Sequence, residues 1–564
     1  MFSRVKHWIG ASSKDVLQPQ PRGTPTQVAA SGQCLALYEQ GVAHYRAGEL
    51  ALAERALNEA LALKHDLAEA HFQLARIHRR RAQHEEAADC LLLATTFKPD
   101  FAEAWYQLGV IEQERGRLER AASAFEAALQ HKPDYAEAWN GLGTLHEKRK
   151  QFRAAAVAFE KAIEIDPRLA RAHSNLAHVT LRERFDADAA LAHARKAIEL
   201  DPQLAAAHNN LAMILQAQGR CDEALAACER ALALDPGAAS TVLVRSYARL
   251  MLGRFEDGWR DFEARKQLMQ TFKVRKFPYP EWDGSPLAGK SVLVYYEQGV
   301  GDEIMFASCL PDLLALGGSC VVECSHKLER LFRRSFPRAS IQAADQADPD
   351  MSYLGAWPRF DWQVAAGSLP RRFRNNWGEF PTHSGYLSAD AARVAFWRMR
   401  LQDLGAGLKV GLSWRGGRPH TNQAQRSIEL EKLIPLLATP GARFVSLQYT
   451  DCRDELDRLR ARHGITLTHW QEAIDDYDET AALVGALDLV ISVQTAVVHL
   501  AGALGRPAWV CVSSMPEWRY MADGERMPWY PSVRLFRQRV PRDWDTVIAQ
   551  VATALREFIG ARIV

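Results

Sequence analysis

The sequence predicts a two-part molecule: an all-α solenoid of stacked helix pairs, then an α/β half made of two doubly wound units. Three observations carry this. Pro99, Pro133, Pro167, Pro202 and Pro236 are separated by 34, 34, 35 and 34 residues, and His65 holds the same slot one period earlier. A period of 34 is that of helix-turn-helix units that stack on their neighbours. From Ser291 that period is lost, and short strand-like apolar runs alternate with helical ones. Between the two lies 271–290, whose Pro278, Pro280, Gly284, Pro286 and Gly289 exclude a long helix and mark a boundary.

In the first half, the unit 102–135 carries Trp105, Leu108 and Gly109 on its first helix, Ala121, Phe125 and Ala128 on its second, and Pro133 at its end. The next unit repeats this as Trp139, Leu142, Gly143, Ala155, Phe159, Ala162 and Pro167, and 205–238 as His208, Leu211, Ala212, Ala224, Cys228, Ala231 and Pro236. Spacings of three and four keep each set on one helical face. Small residues at Gly109, Gly143, Ala121 and Ala155 let paired helices approach, and the proline cannot continue the second helix. These slots resemble the tetratricopeptide repeat (TPR). Six full units are expected, at 34–67, 68–101, 102–135, 136–169, 170–204 and 205–238, the fifth with an extra residue near Phe185 to Asp188, and a degenerate seventh over 239–270. The first helices of such a solenoid line a concave surface that holds extended protein segments. A scaffold or self-association module is the plainer alternative. His71, His78, His173 and His208 recur at first-helix slots, where packing or groove roles are expected rather than metal binding. Trp259 and Phe262, three residues apart, are expected to cap the array against the second half.

In the second half the run SVLVYY is followed by EQGVGDE and an apolar-periodic helix through Ile304, Phe306 and Leu310. Gly299 and Gly301 shape this corner, which places Asp302 at the helix start, where it either caps the helix or faces a ligand. Further strands are expected at Cys320–Glu323, Ser340–Ala343 and Asp361–Ala365, with a helix over 390–403 leading into a second alternation. That alternation holds strands at LKVGLSW, 442–447, Ile465, LDLVIS and PAWVCV, and helices at 429–438, 453–461, 478–486 and 496–504. Ligands of such folds bind beyond the carboxyl ends of the strands. There the sequence places Arg415, Arg418 and Arg426 after LKVGLSW, Gln448 after a strand, and Gln494, Thr495 and Ala496 at a helix start. Arginines beside a helix N-terminus are a means of holding a diphosphate. Asp475 to Asp478 contain a D-x-D string, better suited to capping the helix that follows than to holding a metal.

Composition narrows the functional classes. A chain of 564 residues exceeds one core. A formal net charge of +2 argues for neither nucleic acid nor an anionic membrane. No run of 18 apolar residues suggests a membrane span, and MFSRVKHWIG lacks the apolar core of a secretory signal. Residues 1–33, with Pro19, Pro21, Gly23 and Pro25, read as a flexible leader. Nine cysteines without metal-ligand spacing or a disulfide framework fit a reducing, cytoplasmic setting.

Over about 251–538 the segments GRFEDGWRDFEAR, PEWDGSPLAGKSVLVYYEQGVGDEIMFA, GLSWRGG with RSIEL, FVSLQ, LDLVISVQTAVVHLAGALGRP and MPEWRYMADGERMPWYPSVRLFRQ are similar to bacterial TPR glycosyltransferases. These are related to the heptosyltransferases and more remotely to the O-GlcNAc transferases. The resemblance implies the GT-B arrangement of two Rossmann-like domains, an acceptor-side one over 291–389 and a donor-side one over 390–564. It implies a metal-independent, inverting enzyme that moves a sugar from a nucleotide-sugar to Ser or Thr of a protein such as flagellin, delivered by the solenoid. Asp302 is then the base, with Glu303 as a second carboxylate where relatives carry Thr. Gly299, Gly301, Arg415, Arg426, Gln448, Gln494, Thr495, Ala496 and His499 meet the donor, and Gln494 stands where relatives carry Asp. The alternatives are a transferase acting on lipopolysaccharide or another glycan, and a non-catalytic TPR scaffold with a degenerate glycosyltransferase domain.

Overall fold

A computed structural model describes residues 25–268, 277–344, 359–380, 382–417 and 423–563. Arg418 and residues 1–24 of the expected leader lie outside the described residues. The chain forms two compact units, residues 1–172 and 173–564.

The first unit holds four helix pairs: Pro25–Ala47 with Leu50–Leu63, Ala68–Arg80 with His84–Phe97, Ala102–Glu114 with Leu118–His131, and Ala136–Lys148 with Phe152–Ile165. The first helix among the described residues, Pro25–Ala47, already covers positions ahead of the expected start of the array at residue 34. The small residues act as the sequence suggests. A Cβ on Gly109 would lie 2.6 Å from the Phe125 ring, and one on Gly143 would lie 2.6 Å from the Phe159 ring. Both rings are fully buried.

The histidine slots have a local explanation. The indoles of Trp105 and Trp139 donate from Nε1 to the carbonyls of Pro99 and Pro133, each at 2.9 Å. His71 places Nε2 2.9 Å from the His65 carbonyl, and His208 places Nε2 3.0 Å from that of Pro202. Histidine thus substitutes for tryptophan as the residue that satisfies the last carbonyl of the preceding turn.

The second unit continues with helices Ala187–Leu200, Ala205–Ala217, Cys221–Leu234, Ala239–Met251 and Phe255–Phe262. One turn position recurs throughout the repeats in the left-handed conformation: Gly48, Ala82, Gly116, Lys150, Phe185, Gly219 and Gly253, at φ of 81°, 58°, 74°, 59°, 51°, 76° and 73°. The single step of 35 falls between Lys150 and Phe185, where the extra residue was expected.

Two sheets follow. Strands β1 (Ser291–Tyr295), β2 (Ser319–Cys324), β3 (Ser340–Ala343) and β4 (Trp362–Ala365) form a parallel sheet in the order β3-β2-β1-β4. Strands β5 (Leu408–Ser413), β6 (Ala442–Ser446), β7 (Thr468–His469), β8 (Leu489–Val493), β9 (Ala508–Val512), β10 (Arg526–Met527) and β11 (Tyr530–Arg537) form a second sheet in the order β10-β11-β9-β8-β5-β6-β7. It is parallel except for the β10–β11 pair. Strand order reverses beside β1 and β5, so the loops after them open on a crevice. The architecture is therefore an all-α TPR-like region followed by a mixed α/β region.

Several local expectations need correcting. The helix expected over 429–438 is a 3-10 turn, Leu430–Leu433, followed by Ile434–Leu437, because Pro435 withholds a backbone donor. The strand expected near Ile465 lies at Thr468–His469. Strands β10 and β11 and the helix Trp544–Ile563 were not anticipated.

Trp259 and Phe262 close the helical region against the sheets. Trp259 donates from Nε1 to the Arg374 carbonyl at 2.8 Å and meets Trp518 edge-on at 5.5 Å. Phe262 lies 5.7 Å from Trp518, and Tyr247 stacks on Trp518 at 6.3 Å. Beneath them Arg265, fully buried, pairs with Glu297 at 2.7 Å and Glu263 at 2.9 Å.

A non-glycine residue in the left-handed region is strained by about 1–2 kcal/mol. We expect Lys150→Gly to raise stability by roughly 0.5–1 kcal/mol, the strain relieved less the added freedom of the unfolded chain. Urea unfolding compares the two proteins, and equal or lower stability of the glycine form rejects this account.

Candidate functional site

The corner after β1 opens the helix Val300–Ala307, with Gly299 as its cap. The Gly299 carbonyl accepts from the amides of Asp302 at 2.8 Å and Glu303 at 3.0 Å. Gly301 lacks a side chain because the helix Ala496–Ala503 comes against it. A Cβ there would lie 3.2 Å from Cδ2 of His499 and 3.4 Å from Cα of Ala496. Gly301, Ala496 and His499 are thus brought together as a packing contact between the two sheets' helices.

The Asp302 carboxylate accepts from Arg519, from Nε at 2.8 Å and from Nη2. Arg519 also pairs with Glu517, whose other oxygen pairs with Arg426. Asp302, Arg519, Glu517 and Arg426 form one alternating chain of charges that joins the corner after β1 to the loops after β9 and β5. Burial alone would lower the Arg519 guanidinium, but Asp302 and Glu517 more than reverse this and hold it charged.

Glu303 turns the other way. It is buried among Val294, Phe306, Leu310, Val322 and Phe332, and its Oε2 accepts from the Ser325 amide at 2.8 Å. Burial pushes its carboxyl up to about 7, against the pull of the Ser325 bond. His499 is buried, with Nδ1 3.2 Å from the Tyr530 hydroxyl. Burial, then the nearby Arg519, lowers the imidazole to about 3, so it is neutral.

The remaining candidates surround β5 and β8. Arg415 pairs with Glu455 at 3.1 Å and donates to the Asp451 carbonyl. Gln448, fully buried, accepts at Oε1 from the amides of Trp414 at 3.2 Å and Arg415 at 3.0 Å, and donates to Thr450 at 3.0 Å. It braces the turn after β5. Gln494 accepts from the Ser513 amide at 3.2 Å and hydroxyl at 3.1 Å, while its Nε2 is buried without a hydrogen-bond partner among the described residues. Thr495 starts the helix Ala496–Ala503, with its hydroxyl 3.0 Å from that of Ser492. In the D-x-D string, Asp476 caps the helix Tyr477–Ala486 by accepting from the Asp478 amide at 2.9 Å. Asp476 and Asp478 pair with Arg330 and Arg334. Among the described residues no group of three or more His, Cys, Asp or Glu could hold a metal.

Sequence reasoning missed Glu517 and Arg519. Both lie in MPEWRYM, where the alternation of acid, tryptophan and arginine was the available signal.

The chain matches family models described as tetratricopeptide repeat at residues 73–130, 106–170 and 205–237. A curated relative, Protein FlbA of Caulobacter vibrioides, is 36% identical over 364 residues, covering 61% of this chain and 60% of that protein. The chain thus spans about three fifths of the relative's length. Among solved structures, a tetratricopeptide repeat protein from Parabacteroides merdae is 20% identical with a TM-score of 0.36, covering 43% of this chain and 97% of its own. Pseudomonas aeruginosa PilF is 19% identical with a TM-score of 0.34, covering 38% and 96%.

These matches correct the resemblance drawn from the sequence. The family models that match describe tetratricopeptide repeats, and neither they nor the relative is described as a glycosyltransferase. The expected inverting GT-B enzyme, protein O-glycosylation and flagellin as acceptor fall with that resemblance. Asp302, Glu303, Arg415, Arg426 and His499 each engage a partner within the chain.

Two measurements examine the charge network and Glu303. Removing one partner of a fully buried pair costs about 3–5 kcal/mol; Asp302 and Arg519 are half-buried, so Arg519→Met should destabilise by less, about 1–3 kcal/mol. Adding Asp302→Asn should cost less than the sum of the single changes, with a coupling of about 1–3 kcal/mol. Additive losses would break the assignment. For Glu303, the folded value of about 7 lies above the ordinary 4.5. Its contribution is complete below pH 4.5 and is lost as pH rises through 7, by at most about 3 kcal/mol. Glu303→Gln should remove that part of the slope, and parallel stability–pH curves for the two proteins would contradict it.

Proposed function

We propose that this protein is a non-catalytic interaction scaffold in which the TPR-like region holds a protein partner and the α/β region serves as a braced platform. One observation carries the reading: the repeats are what known families match, while the ionisable groups at the strand ends are paired internally. TPR arrays generically bind proteins and peptides along their first helices, and the same surfaces support self-association. The proposal retains the GT-B arrangement as architecture, without transfer chemistry. It takes 34–270 as the binding region, 271–290 as linker, and 291–389 and 390–564 as the two halves of the platform.

Candidates Arg415, Arg426, Gln448, Gln494 and Thr495 take bracing roles in this proposal. No helix among the described residues is long and apolar enough to cross a membrane. All nine cysteines are unpaired and eight are buried, which supports a cytoplasmic setting.

The test is cross-linking mass spectrometry of the full chain with a partner recovered by affinity capture and then purified. Cross-links should concentrate on the first helices of the repeats, and Asp302→Asn should leave partner affinity within about twofold, since substitutions at distant sites act independently. Cross-links confined to residues 291–564 would refute the proposal.

A further inference from the structure

Within the first unit, the first helices Pro25–Ala47 and Ala68–Arg80 build an unusual cluster. The guanidinium carbons of Arg76 and Arg80 lie 4.6 and 4.4 Å from the centroid of the Tyr45 ring. Both arginines are exposed, and Tyr45 is buried. The two are four residues apart on one helix, where like charges repel. Among the described residues neither forms an ion pair. Their neighbours do: Arg79 pairs with Glu114 at 2.9 Å, and Arg81 with Glu54 at 2.6 Å. Arg76 gives one N–H to Gln73 at 3.1 Å. Stacking on the tyrosine occupies the face of a guanidinium and leaves its in-plane donors available. Arg46, exposed on the turn that carries Tyr45, adds a third cation without an ion-pair partner among the described residues.

We propose that this surface binds an acidic peptide segment, with one carboxylate on Arg76 and one on Arg80. Four residues of helix rise about 6 Å. In an extended peptide, side chains two residues apart face the same way and are separated by about 6.6 Å. Two acidic residues with one residue between them therefore match the pair of arginines, and each carboxylate can accept a bidentate bond. This rests on the reading of the repeats as a protein-binding region and specifies the chemistry of its partner.

The experiment measures fluorescence anisotropy of the full chain with a labelled extended peptide holding two glutamates separated by one serine. A counterpart with glutamines in their place is the control. The glutamate peptide should bind at least tenfold more tightly than the control, and its affinity should fall as salt is raised. Arg76→Gln with Arg80→Gln should abolish that preference. Arg76→Lys with Arg80→Lys keeps the charge but not the fork, and it should weaken binding while leaving the melting curve unchanged. Equal binding of the two peptides, or a preference untouched by both double variants, overturns the acidic site. Either result leaves protein capture by the repeats standing, because that depends on where the purified partner cross-links.

Discussion

A guanidinium half-buried as that of Arg519 is keeps its proton, so its surroundings must supply negative charge. Asp302 supplies it from the helix after β1, and Glu517 from the loop after β9. Glu517 in turn holds Arg426 after β5. Removing any member would leave a neighbour partly buried and unmatched. The chain of charges therefore sets the relation between the two sheets more firmly than apolar contact alone, because its geometry is directional. Trp518, between the two charged residues, carries the constraint outward to Tyr247, Trp259 and Phe262 at the end of the repeats.

The repeats are governed by local rules applied again and again. Each pair of helices turns through one left-handed residue, and four of the first helices offer a tryptophan or histidine side chain to a carbonyl of the preceding turn. Where the turn residue is Ala82, Lys150 or Phe185 rather than glycine, the fold tolerates strain because packing on both sides determines the chain path. The histidines at 71 and 208 are explained by the same bond that tryptophan makes at 105 and 139. In the first unit, the surface such helices share carries the unpaired arginines that distinguish this array.

The strand-end residues show how one arrangement can invite two readings. A carboxylate at a helix start after a glycine corner, arginines after a neighbouring strand and a second helix start are components that can hold and activate a ligand. The same components can tie loops together when complementary groups are nearby. Glu517, Glu455 and Tyr530 are those groups here, and they turn Arg426, Arg415 and His499 inward.

The repeat period, the proline slots, the tight glycine contacts and most of the parallel strands were legible in the amino-acid sequence, because each depends on residues within a few turns of one another. β7 is only two residues long and was displaced by a few positions. β11 was missed because Pro531 interrupts its pattern, and it forms by pairing with β9 across the sheet. The fate of Asp302 could not be read at all. Its partner lies 217 residues away, and whether a carboxylate faces a ligand or an arginine depends on which side chains converge after folding. The repeating local geometry and the class of each half follow from residues close together along the chain. That the charged residues at the strand ends compensate one another follows from the folded arrangement alone, because compensation in a half-buried site acts between groups brought together through space.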